Sequence, residues 1–430
     1  MAAKLDLSPR LPLAAAAVVV LVVIFLLCGT PAVILVGAAL AGLGLTTLAG
    51  LPLRFEERLA YGAVIGAIAY CAVTFLLCLA FGLTLATALG GLVIVLAAGG
   101  AAAWRNRAEL GEDLAVALER WGRAEPWPLW LLLVVCWGYT LLLLSRGYQT
   151  SPQGLLVGGG AFYADWSLHL TLTGAFAYGG NFPPAFPIFP GHAMTYPFMV
   201  DFFAAALVPV GASLTSALVL TSGYLGLAFP AVLYMATLRL IGSRGAGVLA
   251  VLVFCLGGGL GFVLLGQDLG REGLQALVHL PRLYTQEPDL NLQWLNPVLA
   301  WMLPQRSVLF GYAVVPLVLG VLWTAERGKS WVPYAFCGVL TGLLPLFHLH
   351  AFGTLIAMPA FWAVLRRRRQ WLAFFAPAVL LGAPVALWLS TGGAASLRVQ
   401  LGWLAAADGH DDNVIWFWIW NTGLFIPLLA

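Results

Sequence analysis

The amino-acid sequence predicts an all-α, polytopic integral membrane protein of about 12 transmembrane helices, and three observations predict it. Of 430 residues, 61% are hydrophobic and only 9% are charged, where soluble domains carry about 25% charged residues. Mean hydropathy is +0.94. The apolar runs, LPLAAAAVVVLVVIFLL among them, are continuous and show no alternation of period two. They therefore read as helices and not as barrel strands. Finally, Lys and Arg segregate into alternate connecting segments, as the positive-inside rule requires of a helical membrane protein.

The expected spans are 12–28, 31–50, 59–82, 84–103, 127–146, 213–240, 246–265, 307–325, 332–347, 351–365, 371–390 and 413–430. The first imitates a signal peptide, with Lys4 and Arg10 before an apolar run. It continues through Cys28 into a second apolar run without a small-x-small cleavage site, so a retained span is expected. Residues 1–104 form four N-terminal spans, and 105–126 form a charged cytoplasmic connector with amphipathic character. A core at 127–430 carries outer loops 148–198, 267–306 and 391–412. Two segments read as helices lying at the interface. One is 163–178, with Phe162, Tyr163 and Trp166 at headgroup level, and the other is 199–212, an apolar stretch interrupted by Asp201.

With the N-terminus in the cytoplasm, 16 of the 21 basic residues fall on the inner side, including the run Arg366–Arg369. Arg146, Arg271, Arg282, Arg306 and Arg398 remain outside, and so do all six histidines. Polar residues that are costly in a membrane thus gather on one side, the pattern of an outward-facing site. The expected location is the plasma (inner) membrane. The six cysteines all lie in apolar runs without metal-ligand or disulfide spacing, and they read as small core or lipid-facing residues.

The polar island at 148–198 holds the first constellation. Asp165 and His169 are four residues apart and share a helix face. A carboxylate there could accept a proton from an acceptor hydroxyl or hold a metal; the alternative is a cap beside a solvated histidine. His348 and His350 flank a reverse turn between two short spans, placed to bond a substrate, to bind a metal, or to satisfy each other. Gln305 and Arg306 precede the span at 307–325. Arg306 stands against the charge asymmetry and needs a partner. That partner is a lipid-linked phosphate matched by the guanidinium fork, or else an outer carboxylate such as Asp268, Glu272, Glu287 or Asp289. Arg282 is a second phosphate candidate. Asp408–Asn413 is oxygen-rich and acidic, so Asp411 and Asp412 are weak cation candidates, or a solvated turn capping the last helix. No Walker motif, dinucleotide fingerprint or zinc-protease motif occurs, which excludes the common nucleotide-driven classes. No nucleic-acid partner is expected.

A span followed by an outer loop that opens with an acidic residue on a short helix, then a nearby histidine, resembles the C-type (GT-C) glycosyltransferases. So do Gly180-Asn181-Phe182-Pro183-Pro184, the aromatic-proline step Tyr196-Pro197-Phe198 and the segment 199–212. The resemblance covers roughly 127–365. It implies transfer of a sugar from a polyprenyl-phosphate-linked donor to a glycan, lipid or protein acceptor at the extracytoplasmic face. Asp165 would be the catalytic base and His169 its neighbour. Arg306, Gln305, His348, His350, Arg282 and Tyr196 would hold substrate or phosphate. The family often has two adjacent acidic residues where this chain has Asp165-Trp166. The cofactor is therefore left open, with a divalent cation (Mg²⁺ or Mn²⁺) as the candidate and Asp165, His348, His350, Asp411 and Asp412 as side chains that could hold it. The competing readings are a non-catalytic subunit of a larger membrane assembly and a lipid or solute transporter.

Overall fold

A computed structural model describes residues 19, 22–151, 154–157, 162–294, 296–392, 405–406, 410, 413–423 and 425. The described residues are mainly helical, with two minor antiparallel hairpins among them, β1 (Tyr148–Ser151) with β2 (Gly154–Val157) and β3 (Gln286–Glu287) with β4 (Leu292–Gln293). Among the described residues eight helices are long and apolar enough to cross a membrane, or nine if one bent pair counts as a span. The protein is therefore an all-α, membrane-embedded chain.

The N-terminal unit packs α1 (Ala32–Leu45), α2 (Phe55–Phe81) and α3 (Leu85–Arg105). Lipid tails are as apolar as leucine, so helix contact here depends on close approach. A Cβ at Gly42 would lie 1.9 Å from the Gly62 carbonyl oxygen, and one at Gly66 would lie 1.8 Å from that of Ala38. The small residues at 38, 42, 62 and 66 let two backbones touch. The charged connector is α4 (Arg107–Gly122), which lies against the start of α2.

The core follows as α5 (Trp127–Gly147), α6 (Phe162–Ala177), α7 (Met199–Ala205), α8 (Leu214–Ile241), α9 (Arg244–Leu256), α10 (Gly261–Glu272), α11 (Val308–Ala325), α12 (Val332–Leu343), α13 (Leu349–Arg366), α14 (Trp371–Ser390) and α15 (Val414–Thr422). Ser213 and Ser243 cap α8 and α9 by accepting from the N–H groups of Ser216 and Ala246, as N-cap serines do. Gly242, at φ 79°, ends α8 in the left-handed conformation.

Three expectations are corrected. The span expected at 246–265 breaks at Gly257-Gly258-Gly259, and its halves, α9 and α10, are bent by 73°. The segment Val332–Leu346 is an apolar helix of 15 residues, shorter than the other spans. Residues 199–207 do not lie along a surface, because they are buried in protein. Of the other expected spans, 12–28 and 413–430 fall partly outside the described residues.

Candidate functional site

Helix α6 places Asp165 and His169 one turn apart. His169 is 1% exposed, while Asp165 is half-buried and makes no hydrogen bond or ion pair among the described residues. The two do not pair with each other. The partner of His169 is Asp201 on α7, whose carboxylate oxygens lie 2.9 and 3.0 Å from His169 Nδ1. Phe75, Phe176, Phe182, Phe198 and Phe202 pack α6, α7 and α2 together, with ring centroids 5.3–6.1 Å apart, so the pair sits on a rigid aromatic platform.

Asp201 is fully buried and also receives Arg306, with Nη1 2.9 Å from Oδ1. The rest of the guanidinium donates to Ser222 Oγ at 3.1 Å and to Thr221 Oγ1. A buried charge needs a partner of opposite sign and bonds for its remaining donors, and Arg306 finds both inside the protein. Its expected role as a surface grip on phosphate gives way to an internal ion pair. The carboxylate that takes it, Asp201, is not among the outer acids anticipated.

The Asp201 contact also assigns the tautomer of His169. Nδ1–H donates to the carboxylate, so that in the neutral imidazole Nε2 is the nitrogen with a lone pair. That Nε2 is buried and has no hydrogen-bond partner among the described residues, and neither does Thr173 Oγ1 one turn further along the same face. Tyr196 lies close enough to feel both acids. Burial first, then the charges of Asp201 and Asp165, push its phenol well above the usual range.

A cavity of about 620 Å³ opens beside this network, between α8, α9, α11 and α13. Its walls are mainly apolar, from Phe229 to Leu240 on α8 and from Val308 to Leu319 on α11. The α11 wall alone is about 16 Å long at 1.5 Å per residue. Polar groups collect at one end, where Gln305, His348 and His350 line it. Trp301 joins them from a six-residue π-helical turn, Pro297–Met302, a conformation found often at functional sites. His348 caps α13, its Nδ1 accepting from the Ala351 N–H at 3.2 Å. That bond leaves Nε2–H as the free donor. Burial and the neighbouring His350 pull the His348 pKa down to about 4, so at neutral pH this end offers a neutral imidazole. Gly311 makes room for it: a Cβ there would meet His348 Nδ1 at 2.2 Å.

A hydrogen bond ties the Asp165 turn to the cavity end. Trp166 Nε1–H donates to the Leu303 carbonyl at 2.9 Å, which sets Asp165 beside the segment that continues into Gln305. Asp165, His169 and Arg306 do not themselves line the cavity. Arg282 lies elsewhere, bonded to Asp268 at 3.0 Å, and the same carboxylate accepts from Tyr284 OH. Among the described residues no three His, Cys, Asp or Glu side chains gather to hold an ion, and Asp411 and Asp412 lie outside the described residues.

Sequence reasoning overlooked Asp201 as the organising residue. The signal was present, since a lone carboxylate within an apolar stretch marks a functional position by default. Comparison with models of known protein families, with curated proteins and with solved structures gives no match.

Proposed function

We propose that this protein is a membrane glycosyltransferase that uses a polyprenyl-phosphate-linked sugar donor. The observation that carries the reading is the long apolar cavity lined at one end by Gln305, His348 and His350. An isoprenoid tail suits the walls, and a phosphate suits the polar end, where His348 Nε2–H and the Gln305 amide are hydrogen-bond donors. The half-buried Asp165 carboxylate, with no cation on it, accepts the proton of the acceptor hydroxyl as that oxygen attacks the anomeric carbon. The bond from that carbon to the phosphate oxygen breaks, and the polyprenyl phosphate leaves with the electron pair. Arg306 and Asp201 act as positioning residues, fixing α6 through His169. The cavity also favours this reading over a non-catalytic subunit, whose outer polar groups would close on one another.

Two variants test it. Asp165→Asn keeps shape and removes the base, so transfer in proteoliposomes should fall about 10²–10⁴-fold with an unchanged melting temperature. Val315→Trp fills the apolar wall and should abolish saturable binding of decaprenyl phosphate while the protein remains folded. Wild-type transfer by the Asp165 variant removes that residue from the mechanism. Undiminished lipid-phosphate binding by the folded Val315 variant overturns the cavity assignment.

A further inference from the structure

We propose that the opposite ends of α11 and α13 form a second lipid site, which takes the phosphate group of an anionic membrane phospholipid. A cavity of about 350 Å³ lies there, lined by Trp323, Glu326, Arg327, Trp362, Arg366 and Arg368. Three guanidinium groups face one carboxylate, which leaves the pocket with an excess of positive charge. That single carboxylate is already committed. Glu326 accepts from Tyr334 OH at 2.6 Å and pairs with Arg368 Nε at 3.5 Å. Arg368 also donates to the Gly328 carbonyl at 2.8 Å, and Gln370 reaches the Lys329 carbonyl at 3.3 Å. These bonds join the loop after α11 to the loop after α13 and make a fixed rim. Arg327 and Arg366 are exposed and have no carboxylate partner among the described residues. Both are at the C-terminal ends of helices, where cations are favoured and where a phosphate must be held by side chains, not by the helix dipole.

The floor of the pocket identifies the source of the phosphate. Trp323 and Trp362 sit one turn deeper than the arginines, with ring centroids 5.5 Å apart. Trp362 rests in turn on Trp371, at 5.7 Å. Tryptophan one turn inside a ring of arginines is the order of groups that a bilayer presents: phosphate outermost, then the glycerol region, then chains. A soluble phosphate would need the arginines and have no use for the indoles. The basic run at 366–369 is also divided. Arg366 and Arg368 line the pocket, whereas Arg367 adopts a left-handed conformation at φ 47° and Arg369 lies outside the pocket. A plain topology signal would not require that division.

The test is native mass spectrometry of the full chain in detergent, titrated with phosphatidylglycerol, phosphatidylcholine or inorganic phosphate. One phosphatidylglycerol should bind at least about tenfold more tightly than phosphatidylcholine, the scale expected of forked charge-assisted bonds. R327Q/R366Q should lose that preference at an unchanged melting temperature, R327K/R366K should keep part of it, and R105Q/R107Q, with the same change of charge, should keep all of it. Equal binding of the two lipids overturns the proposal, and so does an equal loss in R105Q/R107Q. If inorganic phosphate displaces phosphatidylglycerol at equal concentration, the ligand is a soluble phosphate and the lipid assignment falls. A melting temperature lowered in the glutamine variant and restored in the lysine variant, without any lipid preference in the wild type, assigns the arginines to structure alone and overturns the site.

Discussion

Arg306 and Arg58 are both closed off from solvent, at 0% exposure, yet they are partnered in opposite ways. Arg58 sits at the start of α2 and reaches outward to Glu109 and Asp113 of the connector α4, at 2.6 and 2.7 Å. Those carboxylates remain 44% and 20% exposed, so water shares the work of solvating them. Around Arg58 the same face is laced by Arg120 with Glu56, Arg239 with Glu57 and Arg244 with Glu125. Arg306 has no such outlet. Its carboxylate, Asp201, is 0% exposed, and the next member of the chain, His169, is 1% exposed and ends in an unpartnered nitrogen. A network whose carboxylates reach water is a clasp. One that runs inward and stops at a buried nitrogen with no partner among the described residues, one helical turn from Asp165, has the arrangement of a site.

Breaking the inner member of that contrast should have the largest effect. Arg306→Met leaves Asp201 as an uncompensated buried charge, a change that typically costs about 3–5 kcal/mol. Chemical unfolding in detergent should show it, and Arg306→Met combined with Asp201→Asn should recover much of the loss. If the single variant is as stable as wild type, the two arginines are not different in kind. Arg58→Met comes next. Its carboxylates can turn to water, so only hydrogen bonds to charged groups are lost, about 1.5–3 kcal/mol. The specific sign would be cleavage within 107–122 by added protease, with the core left intact. A third test sharpens the contrast by titration. His348 has a folded pKa of about 4, below the ordinary histidine value of 6.5. Its contribution to stability is therefore present above pH 6.5 and lost as the pH falls toward 4. Melting temperature should drop over that window, and His348→Gln should flatten the drop. A drop of equal size in the glutamine variant would assign it to other groups.

Much of the helical layout was legible in the sequence because long apolar runs report burial in lipid directly. The expected 371–390 coincides with α14, and 213–240 and 307–325 differ from α8 and α11 by about a residue. Hydropathy could not report the break in 246–265, since three glycines are apolar enough to be counted inside a span while leaving the backbone free to bend. At the site, His169 and Arg306 could be singled out by type and position. Their true partner could not, because helical spacing pointed to Asp165 while the bond runs to Asp201, 32 residues away. Spacing reports neighbours on one helix, and this contact is made between two.

The bend between α9 and α10 has a consequence for how the chain is made. Where the helix stops, its backbone groups must find partners elsewhere, and they find them late. The Cys255 and Gly257 carbonyls accept from the Asn296 amide, Gly257 also accepts from Trp294, and the Leu260 N–H donates to the Trp420 carbonyl. None of these residues exists when 244–272 leaves the ribosome. An open backbone cannot rest in hydrocarbon, so this half-span must wait in a protein-lined or aqueous setting until the last described helix arrives to seal it. Assembly of this part of the molecule is therefore completed only once α15, about 150 residues further along the chain, has been made.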